Sequence, residues 1–365
     1  MHPPLNDCIA MPILVNFSSV LAQPTGLATY SLNLIKELNP LDIDLVGSSE
    51  IAGYRFHPSP SNLTAEYGLK GHLKRLLWVQ LKLPKLYHRL ASDLLFSPIP
   101  EAPLGSDCRW IVTVHDLIPL HFPRRFSPAT LYNRYYIPQV LRQSVHLLCN
   151  SVATANDIIR FCKISANKIT PIPLAYDAEN FRFLNLPTRN YFLYLGRINP
   201  YKNVQRLIAA FAALPNHADY ELWLAGPPDK RYLPALENQI KELNLTERVK
   251  FLKYVPYGEL PKIVNQAIAL VFPSLWEGFG LPVLEAMACG TPVITSNLAS
   301  LPEVAGDAAI LVDPYNVGAI AHAMNDLITD PGLRTQLRTT GLTRANHFSW
   351  EKTGQETVQV LKQYL

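Results

Sequence analysis

The chain has 365 residues, 48% of them apolar, and a formal net charge of +4. That length and composition suit two ordinary domains with their own cores, and without a charge block or a low-complexity segment a disordered chain is excluded. The run from Met1 to Asp7 lacks the basic-then-apolar pattern of a secretory signal, and no apolar run approaches the ~20 residues a membrane span needs. Five cysteines (Cys8, Cys108, Cys149, Cys162, Cys289) form no C-x-x-C pair and are odd in number. They read as free thiols of a cytoplasmic protein, with no metal site among them.

In the first half, Pro12–Phe17 reads as a buried strand, and Gly26 opens a helix over 27–38. A strand, a glycine turn and a helix at the start are the opening of a nucleotide-type α/β domain. Asp42-Ile43-Asp44 is a D-x-D, a pattern that chelates a divalent metal in some enzymes; running straight into Leu45-Val46-Gly47, it reads here as a solvated strand start. The excess charge lies in this half: residues 1–186 hold 17 Lys and Arg against 13 Asp and Glu, and the rest hold 16 against 16. Residues 69–90 contain Lys70, Lys74, Arg75, Lys82, Lys85 and Arg89 and no acid, with Leu69, Leu73, Leu76, Leu77 and Leu81 on one helical face. Two readings stand: a helix packed on the sheet with a solvated basic face, or a basic amphipathic helix on an anionic membrane surface. Little aromatic interleaving argues against nucleic acid. Trp110–Val114 is a strand, with His115-Asp116-Leu117 at its C-terminal end, where open parallel sheets bind ligands. Asp116 can cap the next turn, and Ser151 a helix over 152–161. The stretch from His121 to Phe126, with Arg124 and Arg125, reads as a loop. Residues 186–189 read as a linker.

The second half repeats the pattern. Strand 191–195 leads through Gly196-Arg197-Ile198-Asn199-Pro200-Tyr201-Lys202-Asn203 into a helix from Val204. Arginine offers a planar fork and lysine a point charge to phosphate oxygens, at a helix N-terminus that adds its own positive end. Strand 221–226 ends in Gly226, and 249–255 is a further strand. An apolar run, Ala267–Phe272, then enters Pro273-Ser274-Leu275-Trp276-Glu277-Gly278-Phe279-Gly280-Leu281-Pro282. The helix that follows begins at Pro282, carries Glu285 and closes at Gly290. Leu301–Gly306 and helices at 317–329, 333–345 and 350–364 complete the chain.

The G-R-x-x-x-x-K-N spacing and two glutamates eight positions apart around G-F-G-L-P resemble the signature of the family-4 (group 1) retaining glycosyltransferases. That resemblance implies an α/β fold of two Rossmann-like domains facing each other across a cleft (GT-B). The first, residues 1–186, would bind acceptor, and a C-terminal helix, 350–365, would cross back to it; residues 187–349 would bind the nucleotide-sugar donor. Arg197 and Lys202 would stabilise the leaving diphosphate without a metal or other cofactor. Glu277, with the N–H groups at Gly278, Phe279, Gly280 and Leu281, would hold the sugar, and Glu285 the ribose. Gly226, Tyr254 and Val255 would lie by the donor, and His115 beside its sugar. Gly26, Asp116 and Arg124 would fall on the acceptor side, although many relatives carry two adjacent glycines where this chain has Thr25-Gly26. The activity implied is transfer of a mannose- or glucose-type sugar from a nucleoside diphosphate to a hydroxyl of a glycan or lipid-linked acceptor. The rivals are a sugar-nucleotide hydrolase or epimerase and a silent nucleotide-binding subunit. A nicotinamide enzyme is disfavoured because Leu281-Pro282-Val283 supplies no third glycine for the dinucleotide fingerprint.

Overall fold

Two wholly parallel sheets hold the strands of the computed structural model, which describes residues 12–20, 26–125 and 127–365. The first contains β1 (Ile13–Phe17), β2 (Ile43–Gly47), β3 (Arg55–Pro58), β4 (Leu94–Ser97), β5 (Trp110–Val114), β6 (His146–Cys149) and β7 (Ile169–Pro171), in the order β3-β2-β1-β4-β5-β6-β7. The second contains β8 (Tyr191–Leu195), β9 (Glu221–Ala225), β10 (Val249–Lys253), β11 (Ala269–Phe272), β12 (Val293–Ser296) and β13 (Ile310–Val312), in the order β10-β9-β8-β11-β12-β13. Strands β1, β4, β5, β8 and β11 are buried along their whole length. Near-continuous apolar runs of this kind, with single polar residues at Asn16, Ser97 and Thr113, suit a parallel sheet covered on both faces. In each sheet the order reverses beside the first strand, between β1 and β4 and between β8 and β11. Such switch points open a crevice at the C-terminal strand ends.

The chain divides into two compact units. The first takes residues up to Asn150, Thr154–Pro173 and Trp350–Leu365; the second takes Ser151–Ala153 and Leu174–Ser349. The C-terminal helix Trp350–Lys362 belongs to the first unit and lies close on helix Gly26–Glu37. A Cβ at Gly354 would sit 2.1 Å from the Glu37 Cβ, so only glycine permits the approach. The Thr353 hydroxyl donates to the Pro173 carbonyl at 2.8 Å, and the Tyr364 hydroxyl meets His146 Nδ1 at 2.9 Å. The second unit begins at Leu174, ahead of the expected 187. Residues 177–184 are tied into it by Tyr257 donating to Asp177 and by Asn265, which bonds both Leu184 and Arg182.

Two expectations from patterning are corrected. Asp44 is not a solvated strand start: it is 3% exposed within β2, 2.6 Å from His57 and bridged by Arg55, which also holds Asp42. Both carboxylates therefore pin the β2–β3 edge. The basic segment forms two helices, Gly68–Leu81 and Leu83–Arg89; Leu83 and Leu86 of the second join the core, but four of the five leucines expected on one face of the first do not. Leu69, Leu73, Leu77 and Leu81 are 64, 58, 54 and 60% exposed. The buried face is Gly71, Arg75 and Val79. Arg75 is held by a bidentate bridge to Glu101 at 2.8 and 2.9 Å and by the Leu63 carbonyl, while the Tyr132 hydroxyl donates to the same Glu101. A buried cation stays only where its partners satisfy it, so this network sets which face of the helix turns inward.

Cys108, Cys149, Cys162 and Cys289 are buried free thiols, and Cys8 lies outside the described residues. No helix among the described residues is long and apolar enough to cross a membrane.

Candidate active site

The second unit assembles most of the predicted residues at its switch point. The loop after β8 and the loop after β11 are neighbours there, joined by Leu275 N–H donating to the Tyr201 carbonyl at 2.8 Å. Asn203, buried and left-handed at φ 62°, locks the first loop by donating to the carbonyls of Pro273 and Pro314 at 3.0 and 2.7 Å. Lys202 is thereby aimed at Glu277, with Nζ 2.5 and 2.7 Å from its two carboxylate oxygens. Both side chains are largely buried, and the ammonium also lies 5.2 Å from the centre of the Phe272 ring. Arg197 is different. It is exposed, and its guanidinium has no partner among the described residues.

Gly226 is explained by packing. At φ 135° its Cβ position would fall 2.2 Å from the Gly196 carbonyl oxygen, so a side chain there would separate the ends of β8 and β9. Gly280, at φ 114°, begins helix Leu281–Ala288 with no side-chain cap. The N–H groups of Phe279 and Gly280 have no acceptor among the described residues. They sit at the positive end of that helix, where an oxygen-rich ligand is favoured. The Phe279 ring itself is buried against Phe348, so this residue offers only its backbone.

Glu285 lies on the same helix. Its carboxyl has no hydrogen-bond or ion-pair partner among the described residues, and burial, aided by Asp177, pushes it up to about 8. A half-buried acid with a raised pKa and no partner among the described residues is a common mark of a functional site, and a diol would satisfy it. Tyr254 is 80% exposed and Val255 half-buried, which leaves the tyrosine ring open on the surface.

In the first unit, His115 follows β5. Its Nε2 lies 2.8 Å from the Pro98 carbonyl, an acceptor only, so the proton sits on Nε2 and Nδ1 keeps its lone pair. Tyr30 packs edge-on to the ring, and burial brings the imidazole down to about 4. His115 is therefore a neutral acceptor at physiological pH. Asp116 accepts from Ile118 N–H at 3.0 Å, the turn-capping role. Arg124 is exposed. Gly26 opens its helix, and Thr25 and Phe126 lie outside the described residues.

Patterning alone missed Ser300 and Asp177. Ser300 precedes Leu301-Pro302 and drew no reading of its own; Asp177 sits within residues 1–186, read as the first domain. The Glu303 carboxylate accepts from the N–H groups of Val152 and Ala153, and its part is structural.

The sequence matches the model of the group 1 glycosyl transferases over residues 177–344 and that of glycosyltransferase family 4 over residues 24–180. It is 32% identical over 272 residues to O-antigen chain mannosyltransferase B of Escherichia coli, covering 70% of each chain. It is 28% identical over 315 residues to O-antigen chain mannosyltransferase RfbU of Salmonella typhimurium, covering 83% of this chain and 87% of the relative. Among solved structures, sucrose-phosphate synthase from Thermosynechococcus elongatus superposes with a TM-score of 0.78 at 21% identity, covering 97% of this chain and 98% of the other. WaaG, a glycosyltransferase involved in lipopolysaccharide biosynthesis, superposes at 0.72 and 14% identity, covering 95% and 99%. At such identity the structural likenesses speak to the fold, which is GT-B. The chain belongs to the group 1 glycosyltransferases and is a nucleotide-sugar-dependent enzyme of that family.

Proposed function

We propose that this enzyme moves a mannose-type sugar from a nucleoside diphosphate to a hydroxyl of a growing glycan or lipid-linked acceptor, with retention and without a metal ion. The observation that carries this reading is the second unit's switch point, where Lys202 is paired with Glu277 near an uncapped helix N-terminus, Arg197 stands exposed on the same loop as Lys202, and Glu285 is left without a partner among the described residues. The barrier in glycosyl transfer lies in expelling the diphosphate as the ring carbon becomes oxocarbenium-like. Fixed cations and N–H groups stabilise the charge that develops on the leaving group, and each such donor is commonly worth several kcal/mol. Glu277 is neutralised by Lys202 rather than left open to a divalent ion, which supports the metal-free reading. Glu285 suits the two ribose hydroxyls, and the Nδ1 of His115 can accept from a sugar hydroxyl. The leaving diphosphate serves as the base for the incoming hydroxyl. Mannose is favoured because both mannosyltransferases above match most of this chain; their names also favour an O-antigen-type chain as acceptor.

A second part concerns the first unit. The exposed leucine ridge of helix 68–81, flanked by Lys70, Lys74, Lys82 and Lys85, suits peripheral contact with an anionic bilayer. Apolar side chains enter the interface and each cation adds about 1 kcal/mol near an acidic surface.

The test is incubation with the mannose and glucose esters of GDP and UDP in EDTA, together with a mannose-terminated acceptor, and NMR of the product. An axial linkage from an axial donor is expected. An inverted linkage would overturn retention, free sugar alone would indicate a hydrolase, and binding without turnover would indicate a silent subunit.

A further inference from the structure

Three consecutive peptide carbonyls of the loop after β11 are held by two serine hydroxyls. Ser300 Oγ lies 2.7 Å from the Phe279 carbonyl and 3.0 Å from that of Glu277. Ser151 Oγ lies 2.6 Å from the Gly278 carbonyl between them. Both serines are buried, Ser300 completely. Ser300 occupies the N-cap position of helix Leu301–Ala305, where a serine ordinarily accepts from its own helix. Here its side chain makes no capping bond; the hydroxyl is turned to the loop instead.

The consequence follows from peptide geometry. In a planar trans peptide the C=O and the next N–H point in opposite directions. A Phe279 carbonyl drawn to Ser300 therefore sends the Gly280 N–H away from it, and the Glu277 carbonyl does the same for the N–H of Gly278. The Gly280 N–H, thus directed, has no acceptor among the described residues. The same anchoring fixes the backbone that carries the Glu277 carboxylate. Next door, Leu301 packs where a Cβ on Gly280 would stand, 2.8 Å from its Cδ2, so the segment after β12 backs the loop at Glu277, Phe279 and Gly280.

We propose that Ser300 is a positioning residue for the donor sugar: its hydroxyl aims the Glu277 side chain and the Gly280 N–H at the sugar without touching the substrate. This rests on the donor-site reading above. It predicts a division of labour, because Ser300 braces the part of the loop that meets the sugar, whereas Arg197, Lys202 and Glu285 meet the nucleotide.

The test compares wild type, Ser300→Ala, Ser300→Cys and Ser300→Thr. Thermal unfolding is followed with GDP, UDP and ADP, and kcat and KM are measured with the mannose ester of whichever nucleotide binds. Removing an oriented donor from a preorganised site lowers turnover, here by about tenfold in kcat for Ser300→Ala. Nucleoside diphosphate affinity should stay within about twofold of wild type, since no nucleotide contact is lost. Ser300→Thr, which keeps a hydroxyl, should recover most of the loss. If Ser300→Ala does not fold, Ser300→Cys, of similar volume but with a weaker donor, carries the same comparison. Unchanged kcat in a folded variant lacking the hydroxyl would overturn the proposal. So would a loss of nucleotide affinity in step with turnover, since that is the signature of a merely structural residue. Failure of the wild-type protein to bind any of the three nucleotides would instead sink the donor-site reading beneath it.

Discussion

The loop after β11 and the leucine ridge of helix 68–81 both present unpaired groups, yet they are held in opposite ways. In the loop the backbone is presented, and buried side chains from Ser300, Ser151 and Asn203 hold it from behind. In the ridge the side chains are presented, and one buried bridge, Arg75 to Glu101, holds the helix from beneath. The contrast matches what each would bind. A transition state rewards donors fixed to a fraction of an ångström, while a bilayer rewards only apolar area and charge of the right sign.

The comparison breaks first at the loop. Lys202→Ala and Glu277→Ala should each lower turnover by at least about tenfold, with about a hundredfold within the range for a lost charge-stabilising group. Folding, checked by circular dichroism, should survive. Full activity in either would remove that residue from the site.

At the ridge the expected effect is on location. Leu73→Asp together with Leu77→Asp should abolish flotation with phosphatidylglycerol vesicles, while turnover on a soluble acceptor stays within about twofold, because exposed substitutions away from a site rarely disturb it. Vesicle binding that survives the double change, or that is equal on neutral phosphatidylcholine, would refute the membrane contact.

Glu285 supplies a pH dependence. Its carboxyl rises from 4.5 to about 8 on folding through burial and the nearby Asp177, with Tyr257 and Cys289 feeling its charge in turn. A raised acid binds its proton more tightly when folded, so its contribution to stability is fully present below 4.5 and is lost as pH climbs to about 8. The difference in melting temperature between wild type and Glu285→Gln should shift across that window and level off above it. A difference that is flat with pH would contradict the assignment. The smallest effect is expected at Tyr254, 80% exposed; its replacement by alanine should alter KM for the donor by no more than about threefold, the range of a single surface contact.

Much of this was legible in the sequence, for a physical reason. Both sheets are buried on two faces, so β8 and β11 read as uninterrupted apolar runs and β1 and β5 as runs broken by one polar residue each, Asn16 and Thr113, and the loop after β11 is a contiguous motif. The harder parts depend on contacts between distant residues. Helical spacing gathered the leucines of 69–81 on one face, but nothing local says that the face turned inward holds an arginine; Glu101, 26 residues away, decides it. Strand β3 is short, only partly buried and ends in proline. Ser300 went unread because what sets it apart is distant in sequence: its hydroxyl meets carbonyls 21 and 23 residues earlier.

The central claim is that the second unit holds a nucleoside diphosphate through Arg197 and Lys202 without a metal. It is tested most directly by thermal unfolding of wild type and Arg197→Ala with GDP, UDP, ADP or NAD in EDTA. A ligand at a hundred times its dissociation constant stabilises the folded state by about 2.7 kcal/mol. The account predicts a clear shift for wild type with one nucleoside diphosphate and a much smaller one for Arg197→Ala. A shift with NAD alone, a shift that needs a divalent metal, or equal shifts in both proteins would contradict it.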